Sequence, residues 1–217
     1  MKTDSKLRHD VLDELQWDPG IDANEIGVSV KEGVVTLTGD VSRYGEKLAA
    51  ERVVKRVYGV KAVANDLRVR IHRPMQRTDP EIAAAALHVL KWDSSIPAER
   101  ITVTVRDGHV ILEGTVEGQF QKEAVGCAVR NLVGVRDVTN SIHVQILPTR
   151  AEVKDQIEAA FLRSAEIDAR RVSVDTHDGQ VVLRGHVRSW AEHNEAERAA
   201  WAAPGVGTVK NEIVVTP

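Results

Sequence analysis

Residues 101–116 read ITVTVRDGHVILEGTV and contain the clearest indication of the fold. The pair Asp107-Gly108 lies near the centre of this stretch. Apolar residues alternate with polar ones on both sides of this pair, at Ile101, Val103, Val105, Val110, Leu112 and Val116. A period of two is typical of a strand with one buried face. Because glycine accepts the positive φ that a two-residue turn demands, Asp-Gly between two such runs predicts a β-hairpin.

The same block occurs twice more, as IGVSVKEGVVTLTGDV at residues 26–41 and VSVDTHDGQVVLRGHV at residues 172–187. Three glycines and one asparagine recur with identical internal spacing in all three copies. They are Gly33, Gly39, Gly59 and Asn65; Gly108, Gly114, Gly134 and Asn140; and Gly179, Gly185, Gly205 and Asn211. Self-similarity of this kind indicates tandem copies of one supersecondary unit. The chain is therefore predicted to contain three modules, at residues 1–73, 77–146 and 148–217.

Each module is predicted to begin with an amphipathic helix, because apolar residues fall at i, i+4 and i+8. The three stripes are Leu7, Val11 and Leu15; Ile82, Ala86 and Leu90; and Val153, Ile157 and Phe161. Thr78 with Glu81, and Thr149 with Glu152, have the spacing of a capping box. The first copy has Lys6 in place of the glutamate and should keep only half of the box.

The shared glycines predict how the rest of each module is built. Gly39 and its equivalents lie on the buried face of the return strand, where a side chain is expected to collide with a crossing helix. Gly59 and its equivalents are expected to close a second helix in the left-handed conformation. An alternating run follows each of them and predicts a third strand. The fold class is therefore α+β, with three tandem αββαβ modules, each packing two helices on one face of a three-stranded sheet.

The pattern G-x-V-x-L-x-G-x-V, followed by a helix and by G-V-x-x-V-x-N, resembles the BON domain. It stands here at Gly33 to Asn65, Gly108 to Asn140 and Gly179 to Asn211. The resemblance implies a bacterial protein of αββαβ modules with a non-catalytic role, in association with phospholipid surfaces or envelope components and often linked to osmotic stress. Some members of the family bind potassium. A potassium site built from backbone carbonyls would carry no sequence signature, so no cofactor is predicted from the residues.

Composition excludes several classes of protein. The formal net charge is −3 and the pI is near 6.3, which argues against nucleic-acid binding through bulk positive charge. The only cysteine, Cys127, allows no internal disulfide. No apolar run has the length of a transmembrane span or of a secretory signal. A cytoplasmic location is therefore expected, or a periplasmic one if a signal was removed.

No catalytic or metal-binding motif is present. The eight histidines show no i, i+4 pairing on a predicted helix, and no phosphate loop or nucleophile motif occurs. His109 and His177 stand beside predicted turns and are interpreted as exposed polar residues. Cys127 aligns with Arg52 and Arg198, has no readable base, and is expected to be a partly buried structural thiol. The chain is predicted not to be an enzyme and to hold no metal.

The four tryptophans are the leading candidates for a binding surface. Trp17 and Trp92 occupy the same place after the first helix, where the third copy has Arg163. Trp201 aligns with lysine and arginine in the other copies, so it is predicted to face solvent, and Trp190 stands at the entrance of its second helix. Exposed tryptophan is typical of membrane interfaces and protein contacts. The alternative is that these rings cover the gaps between modules.

A second candidate is the basic segment between the first two modules, which contains Arg70, Arg73 and Arg77. Each basic residue near an anionic leaflet contributes roughly 1 kcal/mol, so the segment alone would bind weakly. It also fits a solvated linker. Three functional hypotheses follow: a scaffold that binds anionic phospholipid or a protein partner, a protein that responds to a cation such as potassium, and a structural homo-oligomer.

Overall fold

The computed structural model describes residues 2–72, 75–145, 153–164, 167, 171–177 and 179–216. Within them the chain forms six α-helices and nine strands, in the predicted order. In the first module these are α1 (Asp4–Trp17), β1 (Ile26–Lys31), β2 (Val34–Val41), α2 (Tyr44–Arg56) and β3 (Ala62–Val69). In the second they are α3 (Asp79–Trp92), β4 (Ile101–Arg106), β5 (His109–Val116), α4 (Gln119–Arg130) and β6 (Asp137–Val144). In the third they are α5 (Val153–Arg163), β7 (Val172–His177), β8 (Gln180–Val187), α6 (Trp190–Trp201) and β9 (Thr208–Val215).

Each module contains its own three-stranded sheet, and the middle strand is the return strand of the hairpin. In the first module β1 pairs with β2 in antiparallel fashion, with Val28 opposite Leu37. The second helix then carries the chain over the sheet, so β3 pairs with β2 in parallel, with Leu37 opposite Asn65. The same registers recur in the other two sheets. The α+β prediction is thus confirmed.

Three separate hydrophobic cores form, one for each module. In each core the predicted apolar stripe of the first helix meets the inward side chains of the sheet and the buried face of the second helix. In the third module the second helix contributes only the small apolar side chains Ala196 and Ala200 to the buried core, while Phe161 fills the core from the first helix. One large ring therefore offsets the loss of volume on the opposite helix.

The predicted hairpin turns have the expected backbone. Glu32 and Gly33 both have positive φ, at 54° and 83°, as do Asp107 and Gly108, at 51° and 77°. Positive φ at both central residues is the type I′ turn, whose twist matches that of paired strands. The third turn includes Asp178, which lies outside the described residues, and its Gly179 has φ 78°.

A side chain at the start of the first helix holds this turn in place. Both oxygens of Asp4 accept hydrogen bonds from the turn, from the backbone N–H groups of Glu32 at 2.8 Å and Gly33 at 3.2 Å. Asp79 does the same for the second hairpin, at 2.8 and 2.9 Å. The carboxylate also sits favourably at the positive end of its own helix. The hairpin of each of these modules is thereby joined to its first helix.

Glycine is required in the return strand for a different reason from the one predicted. Gly39 has φ 122°, and a β-carbon built on it would collide with the backbone carbonyl oxygen of Glu25. Glu25 ends a short 3-10 helix, Ala23–Glu25, directly before β1. The expectation of a collision with a crossing helix is therefore wrong: the obstacle is the chain that enters the neighbouring strand. Gly114 and Gly185 meet Arg100 and Arg171 in the same way.

The glycine after the second helix does not close that helix. Helix α2 ends at Arg56 with an extended Val57 as its C-cap, and Gly59, with φ 104°, lies in the turn beyond. Its left-handed backbone is as predicted, but it belongs to the connection into β3. The N-terminal predictions fare better: Glu81 accepts hydrogen bonds from the backbone N–H and the hydroxyl of Thr78, both at 2.8 Å, and the Thr3 hydroxyl oxygen accepts one from the backbone N–H of Lys6 at 3.3 Å. The box at Thr149 and Glu152 lies outside the described residues.

The recurring asparagine connects the third strand to the second helix. In the second module Asn140 donates from Nδ2 to the carbonyl oxygen of Lys122 at 2.8 Å, and its Oδ1 accepts from the N–H of Ile142 at 3.3 Å. Asn65 and Asn211 make the same pair of bonds. The asparagine therefore bonds both to the backbone of its own strand and to the second helix.

Candidate interaction surface

Two tryptophans project into solvent at equivalent places. Trp17 is the last residue of α1 and is 84% exposed, and Trp92 is the last residue of α3 and is 77% exposed. The apolar stripe of each helix faces the core, so the final residue of the helix points away from it. Trp92 donates from Nε1 to Nε2 of His88 one turn earlier, at 2.8 Å, which fixes the direction of its ring. Neither ring covers a gap between modules.

The third module presents a different pair of residues at the same place. Arg163 is exposed where the other copies have tryptophan, and the preceding Leu162 is 77% exposed. A leucine exposed to this degree at the end of a helix contributes nothing to its own core. Each of the three first helices thus has a large apolar side chain in contact with water, either at its last residue or directly before it.

The other two tryptophans behave differently. Trp190, the first residue of α6, is half-buried, and the Lys55 ammonium of the first module lies 5.4 Å from the centroid of its ring. His193 stands edge-on to the same ring, with centroids 4.8 Å apart. The Trp190 ring therefore lies between modules one and three.

The prediction that Trp201 faces solvent is wrong. It is half-buried and packs against the core of its own module. The second helix of this module buries alanines, so the core there has room for part of the ring. Trp201 also lines a cleft with Phe120 of the second module. Lysine or arginine at the equivalent position in the other copies did not predict this environment.

The basic segment is partly neutralised. Nη1 of Arg70 lies 3.2 Å from Oδ2 of Asp40, and Nε of Arg68 lies 3.5 Å from Oδ1 of the same carboxylate. Two positive charges therefore share one negative charge. Arg77 donates to the backbone oxygen of Gln76 at 2.8 Å. Arg73 lies outside the described residues. The described part of this segment therefore offers a small excess of positive charge.

A buried carboxylate that the sequence analysis did not single out stands in the first turn of two of the second helices. Glu46 accepts from the N–H of Asp22 at 2.9 Å with one oxygen and from the N–H and hydroxyl of Ser42, at 3.1 and 3.0 Å, with the other. Glu192 occupies the equivalent place in the third module, and Gln121 takes it in the second. Only the recurrence of glutamate, glutamine and glutamate signals this role in the sequence.

The cysteine and the two histidines considered as reactive residues lie at or near the protein surface. Cys127 is exposed on α4, so the expectation of a partly buried thiol is wrong; its side chain points away from the core where Arg52 and Arg198 do in the other copies. His109 contacts the Thr139 hydroxyl at 2.8 Å, and His177 is exposed. Across the described ranges no three side chains of His, Cys, Asp or Glu come together as a metal site. In the same ranges no helix is long and apolar enough to cross a membrane.

The model of one protein family matches the chain three times, at residues 3–71, 78–146 and 149–217, and that family is the BON domain. The chain belongs to the BON family. Its three BON matches cover all nine strands and leave only a few residues between them. They agree with the resemblance drawn from the repeated glycines and asparagine.

Relatives and similar structures provide further comparisons for this BON protein. Osmotically-inducible protein Y of Escherichia coli strain K12 is 32% identical over 144 residues, which cover 62% of this chain and 71% of the relative. Two solved structures of CdsD, a structural protein of the type III secretion system of Chlamydia trachomatis, align over 98% and 100% of the chain. Their identities are 17% and 16%, their alignments cover 93% and 100% of those chains, and their TM-scores are 0.28 and 0.27.

Proposed function

We propose that this protein is a non-catalytic binding protein of the bacterial stress response that associates with anionic phospholipid surfaces. The observation that carries the proposal is the pair of exposed rings, Trp17 and Trp92, at equivalent helix ends. An indole has an apolar body and a polar N–H, so it is stable at the boundary between headgroups and acyl chains. Rings that were needed only for folding would be buried.

The stress-response part of the proposal is supported by family and relative. The chain consists of BON domains, and its relative in Escherichia coli is named for osmotic induction. The non-catalytic part is supported by the repeat itself, because the residues shared by all three copies are those that build turns, cores and backbone hydrogen bonds. The preference for anionic lipid is supported by Arg68 and Arg70, which share a single carboxylate.

Vesicle flotation tests this proposal. Neutral vesicles of phosphatidylcholine and anionic vesicles of phosphatidylcholine with phosphatidylglycerol are incubated with the protein at low and high salt. We expect flotation with the anionic vesicles, weakened by salt because salt screens the attraction. Absence of binding to either vesicle contradicts the proposal, and equal binding to both contradicts the preference for anionic lipid.

The double substitution Trp17→Ala and Trp92→Ala tests whether these two rings contact the vesicle surface. Burying one large apolar side chain contributes roughly 1.5–3 kcal/mol, so losing both rings should weaken binding at least about tenfold. Tyr58→Ala is the matched control, because Tyr58 is an aromatic residue that is 58% exposed elsewhere in the first module. An equal loss in the control and in the double variant would show that the tryptophans have no special role.

A further inference from the structure

The three second helices begin with residues that occupy the same position in the repeat. These residues are Tyr44 of α2, Gln119 of α4 and Trp190 of α6. Each of them carries a polar group, which is a hydroxyl in Tyr44, an amide in Gln119 and an indole N–H in Trp190. Among the described residues, the buried side-chain atoms without a hydrogen-bond partner are Gln119 Oε1 and Trp190 Nε1, two members of this set.

The start of α2 lies against the second module. Tyr44 packs on the core of that module, and burial raises the pKa of its hydroxyl, with a further increase from the negative charge of Asp137. A β-carbon on Gly45 would collide with Oδ1 of Asn131, directly after α4. The start of the first module's second helix therefore meets the end of the second module's second helix.

The start of α4 lies against the third module in the same way. Gln119 and Phe120 line a cleft with Arg198, Trp201 and residues 202–206, which end α6 and follow it. Phe120 is equivalent to Gly45, and residue 202 is equivalent to Asn131, by the spacing of the repeat. The second junction therefore uses the same positions as the first.

The start of α6 returns to the first module. Trp190 and Ala191 line a cleft with Arg52, Lys55 and Arg56, which form the last turns of α2. The Lys55 ammonium lies over the Trp190 ring, and α2 and α6 contact each other directly. Ala191 is equivalent to Gly45, and Arg56 to Asn131. The third junction therefore repeats the first two.

We infer that the three modules close into a ring with an approximate three-fold axis, and that the ring holds Trp17, Trp92 and Leu162 together as one docking face for a flat lipid surface. In each module the start of the second helix contacts the next module, and the end of that helix contacts the previous module. A head-to-tail contact of this kind forms either an open filament or a ring. Here the third module meets the first, so the series closes within one chain.

The docking face follows from the geometry of the ring. Positions related by a rotation axis lie at the same height along that axis, so the ends of α1, α3 and α5 lie in one plane perpendicular to it. Trp17 and Trp92 occupy two of these positions, and Leu162 stands beside the third. Three apolar side chains in one plane fit a flat partner. Simultaneous contact of three sites strengthens binding well beyond that of one site.

Distances between spin labels test the ring without any lipid. Gln16, Lys91 and Leu162 are equivalent and exposed, so Gln16→Cys, Lys91→Cys and Leu162→Cys are combined in pairs in a Cys127→Ser background. A ring predicts three similar distances. A linear arrangement predicts that the distance between labels 16 and 162 clearly exceeds the other two, and this result would overturn the inference.

The substitution Ala191→Arg tests the junction that closes the ring. It places a positive charge beside Arg52, Lys55 and Arg56, and Ala191 is an exposed residue, so the module should keep its fold. We expect the distance from 16 to 162 to lengthen and the distance from 16 to 91 to stay the same. Ala191→Ser is the matched control. Gly45→Arg should lengthen the distance from 16 to 91 instead.

The choice of lipid as the partner rests on the proposed function, and the outcomes separate the two claims. Three similar distances without vesicle binding contradict the proposed function and leave the ring intact. Vesicle binding with unequal distances contradicts the ring alone. If Ala191→Arg opens the ring but binds anionic vesicles as tightly as the wild type, the single docking face is wrong. We expect this variant to lose at least about tenfold in affinity, because its third site no longer lies in the plane of the other two.

Discussion

The backbone carbonyl oxygen of Glu25 occupies the space that a β-carbon on Gly39 would fill. The two residues are brought together because Gly39 pairs with Ile26, the first residue of β1. Each module repeats the arrangement, at Gly114 with Arg100 and at Gly185 with Arg171. The entry into the hairpin therefore depends on one glycine in each module.

We expect Gly39→Ala to destabilise the first module strongly. The backbone there has φ 122°, which costs an ordinary residue about 1–3 kcal/mol, and the collision with Glu25 adds to that cost. Urea unfolding measures the loss. Gly20→Ala is the control, because a β-carbon at Gly20 meets only a carboxylate oxygen of Asp18 at 3.2 Å. Equal unfolding midpoints for both variants would contradict this account.

The bond between Asn140 and the carbonyl of Lys122 should stabilise the second module. Asn140→Ala leaves a half-buried carbonyl and the N–H of Ile142 without their partners, so we expect a loss of about 1–3 kcal/mol. Asn140→Asp keeps the acceptor and removes the donor. It should retain the bond to Ile142 and lose the one to the helix, so an unfolding midpoint above that of the wild type would refute the proposed role.

Glutamine should replace Glu46 only in part, and alanine should not replace it, because a single amide oxygen can accept from Ser42 or from Asp22 but not from both. Gln121 already takes this place in the second module and accepts from the N–H of Glu117 at 2.9 Å. Glu46→Ala would leave the N–H groups of Asp22 and Ser42 without an acceptor, with an expected loss of about 1–3 kcal/mol. Thermal unfolding compares the variants. A loss as large in Glu46→Gln as in Glu46→Ala would show that the charge matters more than the hydrogen bonds.

Glu51 should make stability depend on pH in the acid range. Burial raises the pKa of Glu51, but hydrogen bonds from Lys55 and Asn65 lower it by more, so its pKa lies below the ordinary 4.5. A carboxyl whose pKa is lower in the folded state stabilises the protein above its unfolded pKa. That contribution disappears as the pH falls below about 4.5 and through the folded value.

Urea midpoints at pH 7 and pH 3 measure this effect. Glu51→Gln should be less stable than the wild type at pH 7, and the difference should shrink at pH 3, where the wild-type carboxyl is becoming protonated. Glu158→Gln is the control, since its carboxylate is exposed on α5 and lies 3.7 Å from Lys154. A difference that stays constant from pH 7 to pH 3 would contradict the assignment.

The candidate surface was only partly visible in the sequence. The matched positions of Trp17 and Trp92 were enough to single them out, because an aromatic residue outside the apolar stripe of its helix has no place in the core. Trp190 and Trp201 were not distinguished from them. Their environments depend on a lysine of another module and on the volume left by small alanines, and neither is encoded next to the tryptophan.

The sequence by itself determined the number of modules, the order of their elements, the hairpin turns and the inward faces of the helices. These properties depend on hydrophobic periodicity and backbone preference over a few residues. Each of the three copies encodes both separately. The packing of the elements is needed to see what obstructs Gly39, what Asn65 and Glu46 bind, and which tryptophan rings remain exposed. Those answers depend on contacts between residues far apart in the chain, and they exist only once the elements have packed.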